Sequence, residues 1–323
     1  MKLKSRGWVV SAGVAAALSL ATPAVAQTVE TVALFDHSVP ETPESVVVDA
    51  RGNRYVSLAL TGEIRKIASD GTQSTYARLP IGEPLTFCSG FFGLTGALAL
   101  DPSGTLYVSV GSCIPENRGV WRVKRDGTVD QLAQLPFESF PNGIAYHHGK
   151  LYVADSNLGL IWRLDADGGP AMVWKQDPLL LRSPGSPIPG ANGLQYFRGE
   201  FYVAVTSTAK LVAIEIDEKG SAGNIRVHAE GVMCDDIALD VKANVYCASP
   251  MGNVLRVNAK DGSVETLLTS QDLLDYPTSI SFGRRGGEVT EAYVTSAAFP
   301  GYSTYARPSL MKFDVGIPGD IRW

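Results

Sequence analysis

Asn142-Gly-Ile-Ala-Tyr-His147, answered a turn later by Tyr152-Val153, is the stretch on which the fold is read, because the same two-strand phrase occurs six times. The other openings are Glu44-Ser-Val-Val-Val-Asp49, Gly96-Ala-Leu-Ala-Leu-Asp101, Asn192-Gly-Leu-Gln-Tyr-Phe197, Asp235-Asp-Ile-Ala-Leu-Asp240 and Thr278-Ser-Ile-Ser-Phe-Gly283. Their answers are Tyr55-Val56, Tyr107-Val108, Tyr202-Val203, Tyr246-Cys247 and Tyr293-Val294. A supersecondary unit that recurs every roughly 40 to 50 residues marks a repeat architecture. A third strand follows in each copy, as in Glu63-Ile-Arg-Lys-Ile67 and Leu160-Ile-Trp-Arg-Leu164. Asp70-Gly71, Asp126-Gly127, Asp167-Gly168 and Asp261-Gly262 then supply hairpin turns, since Asp and Gly tolerate positive φ. The pattern predicts an all-β, six-bladed β-propeller with four-stranded blades. The last blade runs out of chain after Phe313, and Glu30 to Phe35 reads as a strand that supplies its missing outer edge and closes the ring. The alternative for that segment is a disordered tail.

The first strand of each blade is a continuous apolar run, as expected of a strand buried on both faces. Its opening residue therefore lies near the axis at one mouth of the channel. The longest connections reach the same mouth: Pro80 to Leu94, Gly111 to Gly119, Trp174 to Ala191 and Ala297 to Pro308. Long loops on one face of a rigid scaffold are where binding sites are built.

Read in blade order, the opening column is Glu44, Gly96, Asn142, Asn192, Asp235 and Thr278. Carboxylates brought together out of water raise one another's pKa, and a hard cation relieves the conflict. The set Glu44, Asn142, Asn192 and Asp235 offers only oxygen ligands, which suits Ca²⁺ first and Mg²⁺ or Mn²⁺ next, with Zn²⁺ also admitted. The alternative is that Asn-Gly serves turn geometry and that Glu44 and Asp235 are solvated strand ends.

Through these residues the chain resembles the senescence marker protein/gluconolactonase (regucalcin-like) family, and more distantly paraoxonases and strictosidine synthases. The resemblance spans nearly all of the chain beyond its N-terminal segment. It rests on Pro43-Glu44, Pro141-Asn142-Gly143, Asn192-Gly193-Leu194, Asp235, and Thr278-Ser-Ile-Ser-Phe-Gly283 with Tyr293-Val-Thr-Ser296. It implies a divalent metal held by Glu44, Asn142, Asn192 and Asp235, with Asp235 as general base. The fifth blade departs from the family's Pro-Asp-Gly by carrying Cys234-Asp235-Asp236, so Asp236 stands as a rival to Asp235.

An enzyme of this kind would hydrolyse lactones or esters, the cation polarising the carbonyl while Asp235 takes the proton from water. No Gly-x-Ser-x-Gly elbow offers a nucleophilic serine. His147 and His148 are expected as solvated turn residues at the opposite mouth. Phe91, Phe92, Phe140, Tyr302 and Tyr305 on the long loops suggest an apolar or aromatic lactone or ester as substrate, the alternative being that these rings pack the loops onto the propeller. Two other classes stay open: a non-catalytic ligand-binding propeller with a structural cation, and a non-hydrolytic propeller of a natural-product pathway.

Lys2, Lys4 and Arg6, an apolar run from Trp8 to Leu20, and Ala24-Val25-Ala26 predict a signal peptide over residues 1–26 and an exported propeller over 27–323. The chain holds 28 Lys and Arg against 33 Asp and Glu, a formal net charge of −5, and without the three leader cations the balance is more acidic still. No basic cluster invites nucleic acid or an anionic membrane, and a monomer acting on a small molecule is expected. Among four cysteines, Cys88 and Cys113 flank connections beside one blade and are expected to pair. Cys234 and Cys247 are as well read as buried thiols as a bridge.

Overall fold

A computed structural model describes residues 28–83 and 85–321. The expected signal segment, residues 1–26, lies outside the described residues. Six four-stranded antiparallel sheets occur among them. From the axis outward, blade 1 is Pro43–Val48, Arg54–Leu58, Glu63–Ile67 and Gln73–Arg78, and blade 2 is Leu94–Leu100, Leu106–Gly111, Gly119–Val123 and Val129–Gln134. Blade 3 is Pro141–His147, Lys150–Asp155, Leu160–Asp165 and Met172–Gln176. Blade 4 is Ala191–Phe197, Glu200–Val205, Lys210–Ile216 and Ala222–Glu230, and blade 5 is Asp236–Leu239, Val245–Ser249, Asn253–Val257 and Val264–Leu268. Blade 6 takes Pro277–Phe282, Glu291–Ser296 and Ser309–Asp314 from the C-terminal end and Val29–Leu34 from the N-terminal end. Val29 pairs with Phe313 and Leu34 with Ser309, so the ring closes as expected.

In blades 1 to 5 the residue that ends the repeated phrase selects the turn after the inner strand. Where the phrase ends in Asp, the carboxylate builds the turn: Asp49 Oδ1 accepts from Arg51 N and Asn53 N at 2.8 Å each, and Asp240 Oδ1 accepts from Lys242 N and Asn244 N. Its other oxygen takes the hydroxyl of the Tyr that is second in the next strand, at 3.1 Å for Asp101 and Tyr107 and 2.9 Å for Asp240 and Tyr246. Where the phrase ends in His147 or Phe197, a two-residue hairpin replaces this device, with positive φ at His148 and Gly149 and at Arg198 and Gly199. Such turns match the right-handed twist of the flanking strands.

His147 is therefore not a solvated turn residue. It closes the inner strand of blade 3, is 7% exposed, and stacks on Tyr196 at 3.6 Å between ring centroids. Only His148 lies in the turn, exposed. Trp174 likewise belongs to the outer strand of blade 3, where it packs against Tyr152 and Phe201 and donates to Gly220 O at 2.8 Å, so the connection to blade 4 starts at Asp177.

Apolar cores lie between neighbouring blades, for example Val120, Leu132, Ile144, Val153 and Trp162 between blades 2 and 3. Each junction also carries a side-chain latch near the mouth. Ser57 Oγ donates to Gly96 O at 2.8 Å, Ser109 Oγ to Asn142 O, Ser156 Oγ to Ala191 O at 2.6 Å, Thr206 Oγ1 to Cys234 O at 2.7 Å, and Thr278 Oγ1 to Pro43 O at 3.0 Å. Between blades 5 and 6 the latch is Ser279 Oγ donating to Asp236 Oδ2 at 2.7 Å.

Both cysteine pairs are disulfides, Cys88–Cys113 with Cα atoms 5.7 Å apart and Cys234–Cys247 with Cα atoms 5.3 Å apart. Two disulfides point to an oxidising, exported compartment. Among the described residues no helix is long and apolar enough to cross a membrane.

Two measurements test these features. Replacing Cys88 and Cys113 together by Ser should cost about 2–4 kcal/mol in chemical denaturation, the scale of opening a loop of this length; unchanged stability would exclude a structural role for the bridge. Burial, with a smaller push from His148, lowers the His147 pKa from 6.5 to about 4. Across that window the unfolded chain binds a proton that the folded chain does not, so stability contributed by neutral His147 is lost as pH falls. His147→Phe should flatten the loss of stability between roughly pH 7 and pH 5 in urea titrations, and a pH profile identical to wild type would contradict this account.

Candidate functional site

The opening column is aimed at the axis by irregularities in the inner strands. Register shifts fall between Pro43 and Ser45, Thr95 and Leu98, Pro141 and Ile144, Ala191 and Leu194, and Pro277 and Ile280, so Glu44, Gly96, Asn142, Asn192 and Thr278 each sit in a bulge. A bulge interrupts the in-out alternation of a strand and re-aims a side chain. In blade 5, Asp235 precedes the strand and donates its N–H to Ala248 O at 2.8 Å. The Asn-Gly pairs are not turns. A Cβ on Gly143 would collide with Asn192 O, and one on Gly193 with the Asp236 carboxylate, while Gly193 N donates to Asp235 O at 2.9 Å. Glycine follows asparagine because the next blade's strand comes that close.

Glu44, Asn142, Asn192 and Asp235 line one small axial cavity, with Ala97, Asp236 and Thr278. The latches orient both amides. Thr206 Oγ1 spends its proton on Cys234 O, so it accepts from Asn192 Nδ2 at 3.0 Å; Ser156 Oγ spends its proton on Ala191 O and accepts from Asn142 Nδ2 at 3.3 Å. Each amide nitrogen is thereby held against the wall, which leaves the amide oxygens as the atoms for a ligand. Asn192 Nδ2 also donates to Asp235 Oδ1 at 2.6 Å. Glu44 Oε2 is buried and has no hydrogen-bond partner.

Electrostatics set this cluster apart. Burial, followed by Asp235 and Asp236, holds the Glu44 carboxyl well above its usual range. Burial pushes Asp235 up to about 7 against the opposing hydrogen bond from Asn192, with Asp236 adding to the rise. Asp236 rises to about 6 through burial, moderated by Ser279 and by the N–H groups of Ile237 and Ile280. Asp236 is thus a hydrogen-bonded wall group, whereas Glu44 keeps an orphan oxygen. Among the described residues no three His, Cys, Asp or Glu side chains form a metal-holding group by themselves, so the axial set depends on its two amides. An orphan carboxylate oxygen, a second raised carboxylate and two oriented amide oxygens fit a hard divalent cation.

The aromatic loop residues divide. Phe140 is 3% exposed and stacks on the buried Phe91 at 4.1 Å, so these two rings pack the loops. Phe92, Tyr305 and Tyr302 remain exposed, the last at 73%. Sequence reading passed over three residues at this mouth. Arg118, fully buried, donates to Ser112 O at 2.8 Å and to Phe137 O and Ser139 O, tying the disulfide-bearing loop to the blade 2–3 connection. Asp275 gathers the Ala297–Pro308 loop by accepting from Ser303 Oγ at 2.6 Å and from Thr304 N and Tyr305 N at 2.9 Å. Tyr276, next to it, has φ of 62°. Four latch hydroxyls, Ser57, Ser109, Ser156 and Thr206, were visible two to four residues beyond the Tyr of a second strand, whereas Thr278 and Ser279 sit on the inner strand of blade 6.

No protein-family model matches the chain, and no curated protein sequence matches it. Solved structures do. A luciferin-regenerating enzyme superposes with a TM-score of 0.66 at 16% identity, covering 91% of this chain and 97% of that one. A gluconolactonase from Xanthomonas campestris gives 0.65 at 15% identity over 90% and 89% of the two chains. A calcium-binding regucalcin from Agrobacterium tumefaciens gives 0.63 at 15% identity over 92% and 96%. At these identities the likeness establishes a shared six-bladed propeller fold.

If the latch hydroxyl orients the amide, Thr206→Val should cost about 1–3 kcal/mol, because Cys234 O and Asn192 Nδ2 both lose a buried partner. Thr206→Ser should cost little, and equal stability losses in the two variants would separate Thr206 from this role.

Proposed function

We propose that this protein is an exported, cation-dependent hydrolase of small lactones or esters working at the axial mouth. The observation that carries the reading is the buried, unpartnered Glu44 Oε2 facing the same cavity as Asp235 and two amides whose nitrogens are already engaged. Glu44, Asn142, Asn192 and Asp235 would hold the cation, Ca²⁺ in preference to Mg²⁺, Mn²⁺ or Zn²⁺ by ligand chemistry. When bound, the cation supplies Lewis-acid polarisation of the substrate carbonyl. Asp235 takes the proton from the attacking water and returns it to the leaving oxygen. Phe92, Tyr302 and Tyr305 would receive an apolar or aromatic substrate group. The regucalcin that shares this fold is a calcium-binding protein and another neighbour is a gluconolactonase, which supports the reading. The same reading takes residues 1–26 as a cleaved export signal, so N-terminal sequencing of exported material should begin at Gln27.

Calorimetry of metal-stripped protein with CaCl₂ should show one site that Glu44→Gln or Asp235→Ala weakens at least about tenfold. Because carboxylates with raised pKa must release protons to bind, affinity should climb from roughly pH 5.5 to pH 7.5. On phenyl acetate and small lactones, Asp235→Asn should lose about 10²- to 10⁴-fold in turnover, as expected for removal of a general base. A wild-type protein inert across that panel with calcium present would reject the hydrolase reading.

A further inference from the structure

The third strands of the blades repeat a cation opposite the Tyr of the second strand, and all but one of the arginines at this position have a carboxylate. Arg122 stands across from Tyr107 on one side and Asp130 on the other, and its Nη2 meets Asp130 Oδ2 at 2.6 Å. Arg256 stands between Tyr246 and Glu265 and pairs with Glu265. Arg163 takes the same place across from Tyr152, but the outer strand of blade 3 sets Met172 opposite it, 63% exposed. Among the described residues Arg163 forms no ion pair. Its guanidinium is nevertheless fixed: Nη1 donates to Gly220 O at 2.7 Å, a carbonyl that Trp174 Nε1 also reaches, at 2.8 Å.

Arg163 lines a cleft of about 590 Å³ between blades 3 and 4 at the mouth opposite the axial cavity, and the two share no lining residue. Volumes of this order hold small organic ligands. A second group with hydrogen-bonding capacity to spare lines the cleft. His147, 7% exposed, is held by its stack on Tyr196 and by the edge of Phe201, 6.0 Å away between centroids. Its Nδ1 is buried without a partner, while Nε2 makes no hydrogen bond among the described residues and is not enclosed, which leaves it as the nitrogen a ligand can reach. Burial, with His148, lowers its pKa to about 4, so at neutral pH the ring carries one proton. The Nε2–H tautomer is the one that leaves no buried N–H without an acceptor.

A fixed guanidinium without a counter-ion, beside an N–H donor, is a receptor for a carboxylate. Tyr196, His148 and Ile216 add ring and aliphatic surface. Lys150 is already held by Asp165. Asp217 and Glu218 on the blade 4 turn would repel a second negative charge, which disfavours a phosphate dianion.

We propose that this cleft is a second ligand site, which binds an aromatic monocarboxylate through the Arg163 guanidinium and His147 Nε2–H. The site stands apart from the axial cation and from hydrolysis at the other mouth.

The test is calorimetric titration of the full mature chain with 2-naphthoate, in chelator and again in CaCl₂. One site of equal affinity under both conditions is expected. The neutral analogue 2-naphthalenemethanol and inorganic phosphate should each bind at least about tenfold more weakly. Met172→Asp supplies on an exposed strand the carboxylate that Arg122 and Arg256 possess, and should weaken naphthoate binding at least about tenfold, whereas Met172→Asn should leave it unchanged. His147→Phe keeps the stack on Tyr196, removes the donor and should cost about tenfold, the scale of one hydrogen bond to a charged group. No naphthoate binding by wild type below about 5 mM overturns the proposal. So does equal affinity in Met172→Asp and Met172→Asn, an affinity that depends on calcium, or tighter binding of phosphate than of naphthoate.

Discussion

The approach of neighbouring inner strands at the mouth is the constraint on which the rest depends. Six strands converge on one axis, and at Asn142-Gly143 and Asn192-Gly193 the next backbone arrives so close that a single methyl group would not fit. Strands this close to an axis cannot all keep a regular ladder, hence the bulges at their openings. A bulge strands a backbone carbonyl in a buried place, where it costs about 1–3 kcal/mol if left alone. The hydroxyls of Ser57, Ser109, Ser156, Thr206 and Thr278 meet those carbonyls across the junctions. One set of contacts thus joins the blades, completes the hydrogen bonding and orients the amides of Asn142 and Asn192.

That economy explains how carboxylates come to be buried together at all. Glu44, Asp235 and Asp236 resist ionisation as a group, an arrangement that destabilises the fold at neutral pH unless a counter-charge arrives. Asp236 is quieted by Ser279 and backbone donors. Glu44 has no such relief on Oε2.

Much of this was legible from residues. Six copies of one phrase carried the blade count, the Tyr-Val column carried the second strands, and a strand-like segment without a partner at one end matched a blade short of a strand at the other. The opening column was legible as one repeat position, and its five polar residues, Glu44, Asn142, Asn192, Asp235 and Thr278, line one cavity. What stayed hidden depends on torsion and contact. His147 looks like a turn residue in a His-His-Gly run until the two-residue hairpin shifts it one place inward to stack on Tyr196. That Ser279 meets Asp236 and not Asp235 cannot be read from the Asp-Asp pair, and Phe91 and Phe140 stack on each other while Phe92 stays exposed. Tyr276 is silent in sequence because φ leaves no trace in composition.

The pairing of Val29–Leu34 with Ser309–Asp314 has a consequence for the order in which the molecule can assemble. A chain that emerges N-terminus first can complete blades 1 to 5 from consecutive hairpins as each becomes available. Blade 6 must wait, since its outermost strand is the first to appear and its other three are the last. Until they meet, the edge at Ser309–Asp314 is unpaired and the ring is an open arc whose end blades each show an apolar face. Loop closure on this scale joins the two ends of the sequence and makes folding slow in the manner of topologies with distant pairings. It also makes the finished ring cooperative: no blade can leave without opening the circle, so the axial cavity, which residues of all six blades line, exists only when the circle is whole.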